Sequence, residues 1–229
     1  MIGVVIPAHN EAGLVSESLE AALLAASHPA LNGEAVEIAV VLDACSDGTA
    51  DIVSRWPVHG LAVNFRNVGA ARAAGAQHLL DRGARWLAFT DADSRVGADW
   101  LVEQLRLGAD AVCGTVCVED WSDHQTYAAR LQEHFLRTYA DADGHQHIHG
   151  ANLGVTAAAY RSVGGFAPLA SSEDVALVEA LEKAGARIVW SAAPRVTTSA
   201  RRVARAPAGF AAALCLAAHA LCLPALAAE

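Results

Sequence analysis

The sequence lacks the signatures of the commonest nucleotide-binding sites. No Gly-x-Gly-x-x-Gly follows its first apolar run and no Gly-x-x-x-x-Gly-Lys occurs, which disfavours a dehydrogenase and a P-loop enzyme. It has no basic surplus either. With 16 Lys and Arg against 25 Asp and Glu, the net charge of −9 argues against a nucleic-acid partner, whose phosphates need a basic stripe. Cys45, Cys113, Cys117, Cys215 and Cys222 are odd in number and include no Cys-x-x-Cys pair. Neither a zinc ribbon nor a disulfide framework is expected, and they read as small core residues in a reducing compartment. Met1-Ile2-Gly3-Val4-Val5-Ile6 carries no basic leader and stops at Pro7, so the expected location is cytoplasmic, with the inner membrane face as a peripheral station. No internal repeat is present.

What the chain does have is apolar runs that end on acids. Leu87-Ala88-Phe89-Thr90 reads as a buried strand that stops at Asp91-Ala92-Asp93. Residues i and i+2 of a strand point the same way, so Asp91 and Asp93 can face one ligand beyond the sheet. Two carboxylates on one side suit a hard cation such as Mg²⁺ or Mn²⁺, completed by water and phosphate oxygens. Taken alone, the motif also fits a solvated turn with an Asx cap. Residues 3–6, 37–42, 61–65 and 86–90 read as strands, alternating with helices over 12–26, from Asp51, from Asn67 and after Asp99. That alternation predicts one α/β domain with a mostly parallel sheet, helices on both faces and ligands beyond the carboxyl ends of the strands. Asp43 then falls on the same rim as the acid pair.

Further along, residues 109–118 and 151–156 read as strands, 122–139 as one amphipathic helix, and 187–190 as a last strand. Ser171-Ser172-Glu173-Asp174 is expected to cap a helix reaching Lys183. His145, His147 and His149 lie in a polar loop, as solvated side chains or as metal or acceptor contacts. Arg201, Arg202 and Arg205 form a basic run, solvated or in contact with diphosphate or acceptor. We expect a domain over 1–206 and an alanine-rich helical extension over 207–229. The extension lacks charge over 207–228, but His219 and Pro224 interrupt it, so it reads as a docked helix, a membrane-surface helix or a homodimer contact rather than a span.

The series Ile6-Pro7-Ala8-His9-Asn10-Glu11, Leu42-Asp43-Ala44-Cys45-Ser46-Asp47-Gly48-Thr49, Asn67-Val68-Gly69-Ala70-Ala71-Arg72, Asp91-Ala92-Asp93, Gly150-Ala151-Asn152, Gly164-Gly165-Phe166 and Ser172-Glu173-Asp174 resembles family 2 glycosyltransferases of the GT-A (Rossmann-like) fold. The resemblance implies inverting transfer from a nucleotide-sugar donor, expected to be a uridine diphosphate sugar, to an unidentified hydroxyl acceptor. It implies a nucleoside pocket of Pro7, Ala8, Asn10 and Glu11, with Asp43 at the base and Arg72 at ribose or diphosphate. Asp91, Ala92 and Asp93 become the donor and metal motif. Asp174, with Glu173 beside it, becomes the catalytic acid that deprotonates the acceptor, and His149, Gly150, Ala151 and Asn152 an acceptor-side loop. Leu42 and Ala73 depart from the family pattern, where an aspartate and an Arg-Asn are common, and this bears on base and donor choice. A sugar nucleotidyltransferase remains a rival, although residues 1–15 hold no glycine-rich basic loop. A non-catalytic nucleotide-sugar binding module is the other.

Overall fold

The computed structural model describes residues 1–202 and 210–226, apart from the side chains of 213 and 220–226. β1 (Ile2–Ala8), β2 (Val36–Asp43), β3 (His59–Val63) and β4 (Trp86–Phe89) lie parallel in the order β3-β2-β1-β4. They are the apolar runs of the sequence, and in β1, β2 and β4 they are buried on both faces, so they carry little polar alternation. The same sheet continues through β7 (Leu153–Thr156), β6 (Ala111–Cys117), β8 (Ile188–Thr198) and β5 (Ser94–Val96). β7 runs antiparallel to both its neighbours, β6 and β8 pair in parallel, and β5 is antiparallel to β8.

Helices cover both faces. α1 (Val15–Ala26) and α4 (Trp100–Arg106) enclose Ile2, Val4 and Ile6 on one side. α3 (Val68–Asp81), α6 (Ala157–Ser162) and α7 (Glu173–Lys183) enclose Val5, Leu87 and Phe89 on the other. A Cβ on Gly75 would stand 2.6 Å from Val5 Cγ1, so glycine there lets α3 lie close on the sheet. The short α2 (Thr49–Val53) follows β2. α5 (Ala128–Thr138) packs on α8 (Phe210–Leu226) around Trp121, Leu131 and Leu214. No described helix is long and apolar enough to cross a membrane. The 17 residues of α8 would span about 26 Å against a hydrocarbon core of about 30 Å.

Several sequence expectations need correction. The last strand reaches Thr198 rather than 190, because ladder pairing to β6 and β5 resumes at Arg195 and Val196 after a bulge at Ala192-Ala193-Pro194, which carries no strand pattern of its own. β5 has three residues and was too short to be expected. The helix over 122–139 is two elements, a 3₁₀ stretch (Ser122–Tyr127) that is itself kinked where Gln125 takes φ 50°, and α5. β3 ends at Val63, leaving Phe65 exposed. Ser172 precedes α7 in a left-handed conformation, φ 58°, and its side chain makes no capping hydrogen bond. β4 ends at Phe89, so Asp91 and Asp93 sit on a turn beyond the strand rather than alternating along it.

Candidate active site

The carboxyl ends of β1, β2 and β4 open into a cavity of about 820 Å³. Its lining includes Pro7, Ala8, Asn10, Glu11, Asp43, Arg72, Asp91, Ala92, Asp93, His149, Gly150, Ala151, Glu173 and Asp174. Of the site residues implied by the family resemblance, Asn152 is the one absent from this wall; of the candidate basic and histidine contacts, Arg201 and His149 line it, His145, His147 and Arg202 do not, and Arg205 lies outside the described residues. Asn152 is fully buried: its Oδ1 accepts the Trp100 indole N–H (2.8 Å), and its Nδ2 donates to the carbonyls of Thr115 (2.7 Å) and Pro194 (2.8 Å). Those bonds tie β7, β6, β8 and α4 together.

Backbone donors shape the end of the cavity beyond β1 and β2. Asp43 Oδ1 accepts from the N–H groups of Phe65 (2.6 Å) and Arg66 (2.8 Å), and Oδ2 from Asn67 (2.9 Å). The carboxylate thereby holds the turn that delivers Asn67, whose Oδ1 caps α3 by accepting from Ala70 N (2.9 Å). Asn10 Oδ1 accepts the Ser46 N–H (2.8 Å), locking the β1 loop to the β2 loop. Both residues line the cavity while their side chains also hold its walls.

At the centre, two guanidinium groups face a cluster of acids. Arg72, 4% exposed, pairs with Asp91 (2.5 Å) and with Glu173, itself almost fully buried. Phe166 lies 5.9 Å from the Arg72 guanidinium, and a Cβ on Gly150 would overlap that group, so Arg72 is boxed in. Arg201 reaches Glu11 (2.6 Å) and Asp93 (2.8 Å). Burial is the main force that raises Asp93 to about 6; the charge of Arg201 opposes it, and Asp91 and Glu11 add to it. Arg201 belonged to a basic run in sequence, and its partners are visible only once β8 brings it back across the cavity. Phe210 and Ala211, also on the wall, carried no local signal at all.

Asp174 sits in the first turn of α7. Its Oδ2 accepts the Gly150 N–H (2.7 Å) and its Oδ1 the Val175 N–H (2.8 Å), which fixes the carboxylate against the loop before β7. A carboxylate offers about four lone-pair positions, so it keeps capacity for a further proton donor.

The three histidines stack in sequence, His145 on His147 and His147 on His149, with Tyr139 4.1 Å from His147 between ring centres. His145 Nδ1 takes the His147 N–H (3.1 Å), and His147 Nε2 takes the Ala140 N–H (3.2 Å). Tyr139 Oη accepts from Val116 N (2.8 Å) and shares a hydrogen bond with His149 Nε2 (2.9 Å). Burial, then the neighbouring His147 and His145, lowers His149 to about 4. The stack is a structural ladder, and only His149 of the three lines the cavity.

The sequence model of Glycosyl transferase family 2 matches residues 3–164. The chain belongs to glycosyl transferase family 2. Its sheet is that of a GT-A fold. No curated protein sequence matches it significantly. It is similar to the mannosyltransferase PcManGT from Pyrobaculum calidifontis in complex with GDP-Man and Mn²⁺, at TM-score 0.62 and 20% identity, over 100% of this chain and 75% of that one. It is also similar to TarS 1-349 of S. aureus (TM-score 0.59, 14% identity, 87% of this chain) and to its complex with UDP-GlcNAc (TM-score 0.59, 17% identity, 86% of this chain). The chain spans only 60% and 58% of those two TarS chains. At such identities the likeness establishes the fold.

Proposed function

We propose that this family 2 chain is a metal-dependent, inverting glycosyltransferase that moves a sugar from a nucleotide diphosphate, a uridine diphosphate in our reading, to an acceptor hydroxyl. The observation that carries the reading is the convergence of Asp91, Asp93, Arg72 and Asp174 on one cavity. Inverting transfer needs positive charge at the departing diphosphate and a base at the attacking hydroxyl, on opposite sides of one sugar.

The donor set suits Mg²⁺ or Mn²⁺. Asp91, Asp93 and Glu11 offer only oxygen, and two guanidinium groups already hold positive charge beside them. Among the described residues no group of three or more His, Cys, Asp or Glu is placed to hold a metal by itself, so Asp91 and Asp93 would share the ion with diphosphate and water. When bound, the ion supplies charge neutralisation at the leaving diphosphate. Arg72 is held between Asp91 and Glu173 and contributes a fixed charge to the same end. Glu173 acts by positioning Arg72, since its carboxylate is committed to that guanidinium. Asp174, aimed by Gly150, accepts the acceptor's proton. Residues 149–151 form the acceptor-side rim, while Asn152 supports it from the core. Cytoplasmic action on a small-molecule, saccharide or lipid acceptor, with residues 207–229 as a docking extension, completes the reading.

The test is a thermal-shift screen of UDP- and GDP-sugars with and without Mn²⁺, followed by product analysis. A donor that binds the native state raises the melting temperature by mass action. A shift that needs Mn²⁺, followed by sugar transfer with inverted anomeric configuration, supports the proposal. Retained configuration contradicts it.

A further inference from the structure

The two guanidinium groups at the acid cluster are not equivalent. Arg72 is wedged in α3 beneath Gly150 and holds two carboxylates at once. Arg201 lies three residues past the end of β8, is 22% exposed, and reaches across the cavity to span Glu11 and Asp93. It therefore occupies the place where a divalent cation would meet Asp93.

We propose that Arg201 is a donor-diphosphate residue that stands in for the divalent cation in the donor-free protein, and that it is exchanged onto the diphosphate when the cation takes Asp91 and Asp93. This rests on the metal-dependent reading above. The charge balance drives the exchange. Among the described residues Asp91 is paired with Arg72 and Asp93 with Arg201. A divalent ion on these two carboxylates brings two positive charges and repels the guanidinium already seated on Asp93. The diphosphate brought with the donor is the nearest new anion. The N–H group that Asp93 releases can donate to a phosphate oxygen while the other arm of the planar guanidinium keeps Glu11. Of these two arginines Arg201, 22% exposed against 4% for Arg72, is the one open to an incoming donor. No bond is made or broken: Arg201 trades Asp93 for phosphate and the metal takes the vacated carboxylate.

The consequence is a substitution with effects of opposite sign. In the full chain, Arg201→Gln removes a competitor for the acids and also a phosphate ligand. Titration calorimetry with Mn²⁺ alone should show it binding about tenfold more tightly than wild type. With UDP or GDP plus Mn²⁺, it should bind about tenfold or more weakly. Arg201→Lys should recover part of the nucleotide affinity. A purely structural role would weaken both bindings together, and that result overturns the exchange. So do affinities unmoved by Arg201→Gln while Mn²⁺ binds. Failure of the wild type to bind Mn²⁺ even with UDP or GDP sinks the metal reading itself, and the exchange with it.

Discussion

Replacing Arg72 by Met should expose how the centre of the site is held. Glu173 is 4% exposed at its side chain and Arg72 is its charged partner, whereas Asp91, at 34%, can recover hydration from solvent. The cost therefore falls on Glu173, left as a buried charge without compensation, and breaking such a pair from one side costs about 3–5 kcal/mol. Glu173→Gln should cost less, about 1–2 kcal/mol, because Arg72 keeps Asp91. In the double variant the orphaned charge is gone. Its loss should fall short of the sum of the singles by about 2 kcal/mol, the size expected for groups in direct contact. Urea unfolding at pH 7 followed by circular dichroism measures all four proteins, and a domain with about 5–15 kcal/mol to lose stays folded enough to read. An Arg72→Met variant within about 1 kcal/mol of wild type, with an additive double variant, would refute the claim that Glu173 is an obligate counter-ion.

His149 should make the protein acid-sensitive in a defined window. Its value falls from 6.5 to about 4 in the fold, so the unfolded chain binds the extra proton. Stability is fully present above about pH 6.5 and is lost as pH falls toward 4, by roughly 3 kcal/mol at most. His149→Gln should flatten that slope in unfolding experiments at pH 7 and pH 5, and an unchanged slope would place the effect elsewhere. Asn152→Leu leaves the Trp100 indole N–H and the Thr115 and Pro194 carbonyls without their partner, and should cost about 3 kcal/mol or more in thermal unfolding while the folded fraction binds donor normally. Asp93→Ala should weaken donor binding in the presence of Mn²⁺ by about tenfold or more in calorimetry, and unchanged affinity would contradict the clamp.

How much of this was legible in the chain depended on whether a residue's role was local. β1, β2 and β4 announced themselves because buried strands need continuous apolar runs, and acids at their ends pointed to one rim. β8 did not, because Ala192-Ala193-Pro194 has no pattern and forms a bulge after which the strand resumes on its neighbours. Asp91 and Asp93 were found for a reason the backbone does not keep: they lie on a turn, yet both reach the cavity. The family resemblance put Asn152 with Gly150 and Ala151, but one residue further along the chain its amide turns into the core. Arg201 looked like part of a solvated run because its partners, Glu11 and Asp93, are 190 and 108 residues away and meet it only through the topology.

The central claim is that Asp174 is the base of an inverting transfer whose donor is held elsewhere. Asp174→Asn keeps the shape and removes most of the capacity to take a proton, while Glu173→Gln should leave the proton acceptor in place. With an acceptor identified from the donor screen, the account predicts near wild-type donor affinity for Asp174→Asn and turnover lower by about 10² to 10⁴. Turnover close to wild type in that variant, with donor still bound, would contradict it.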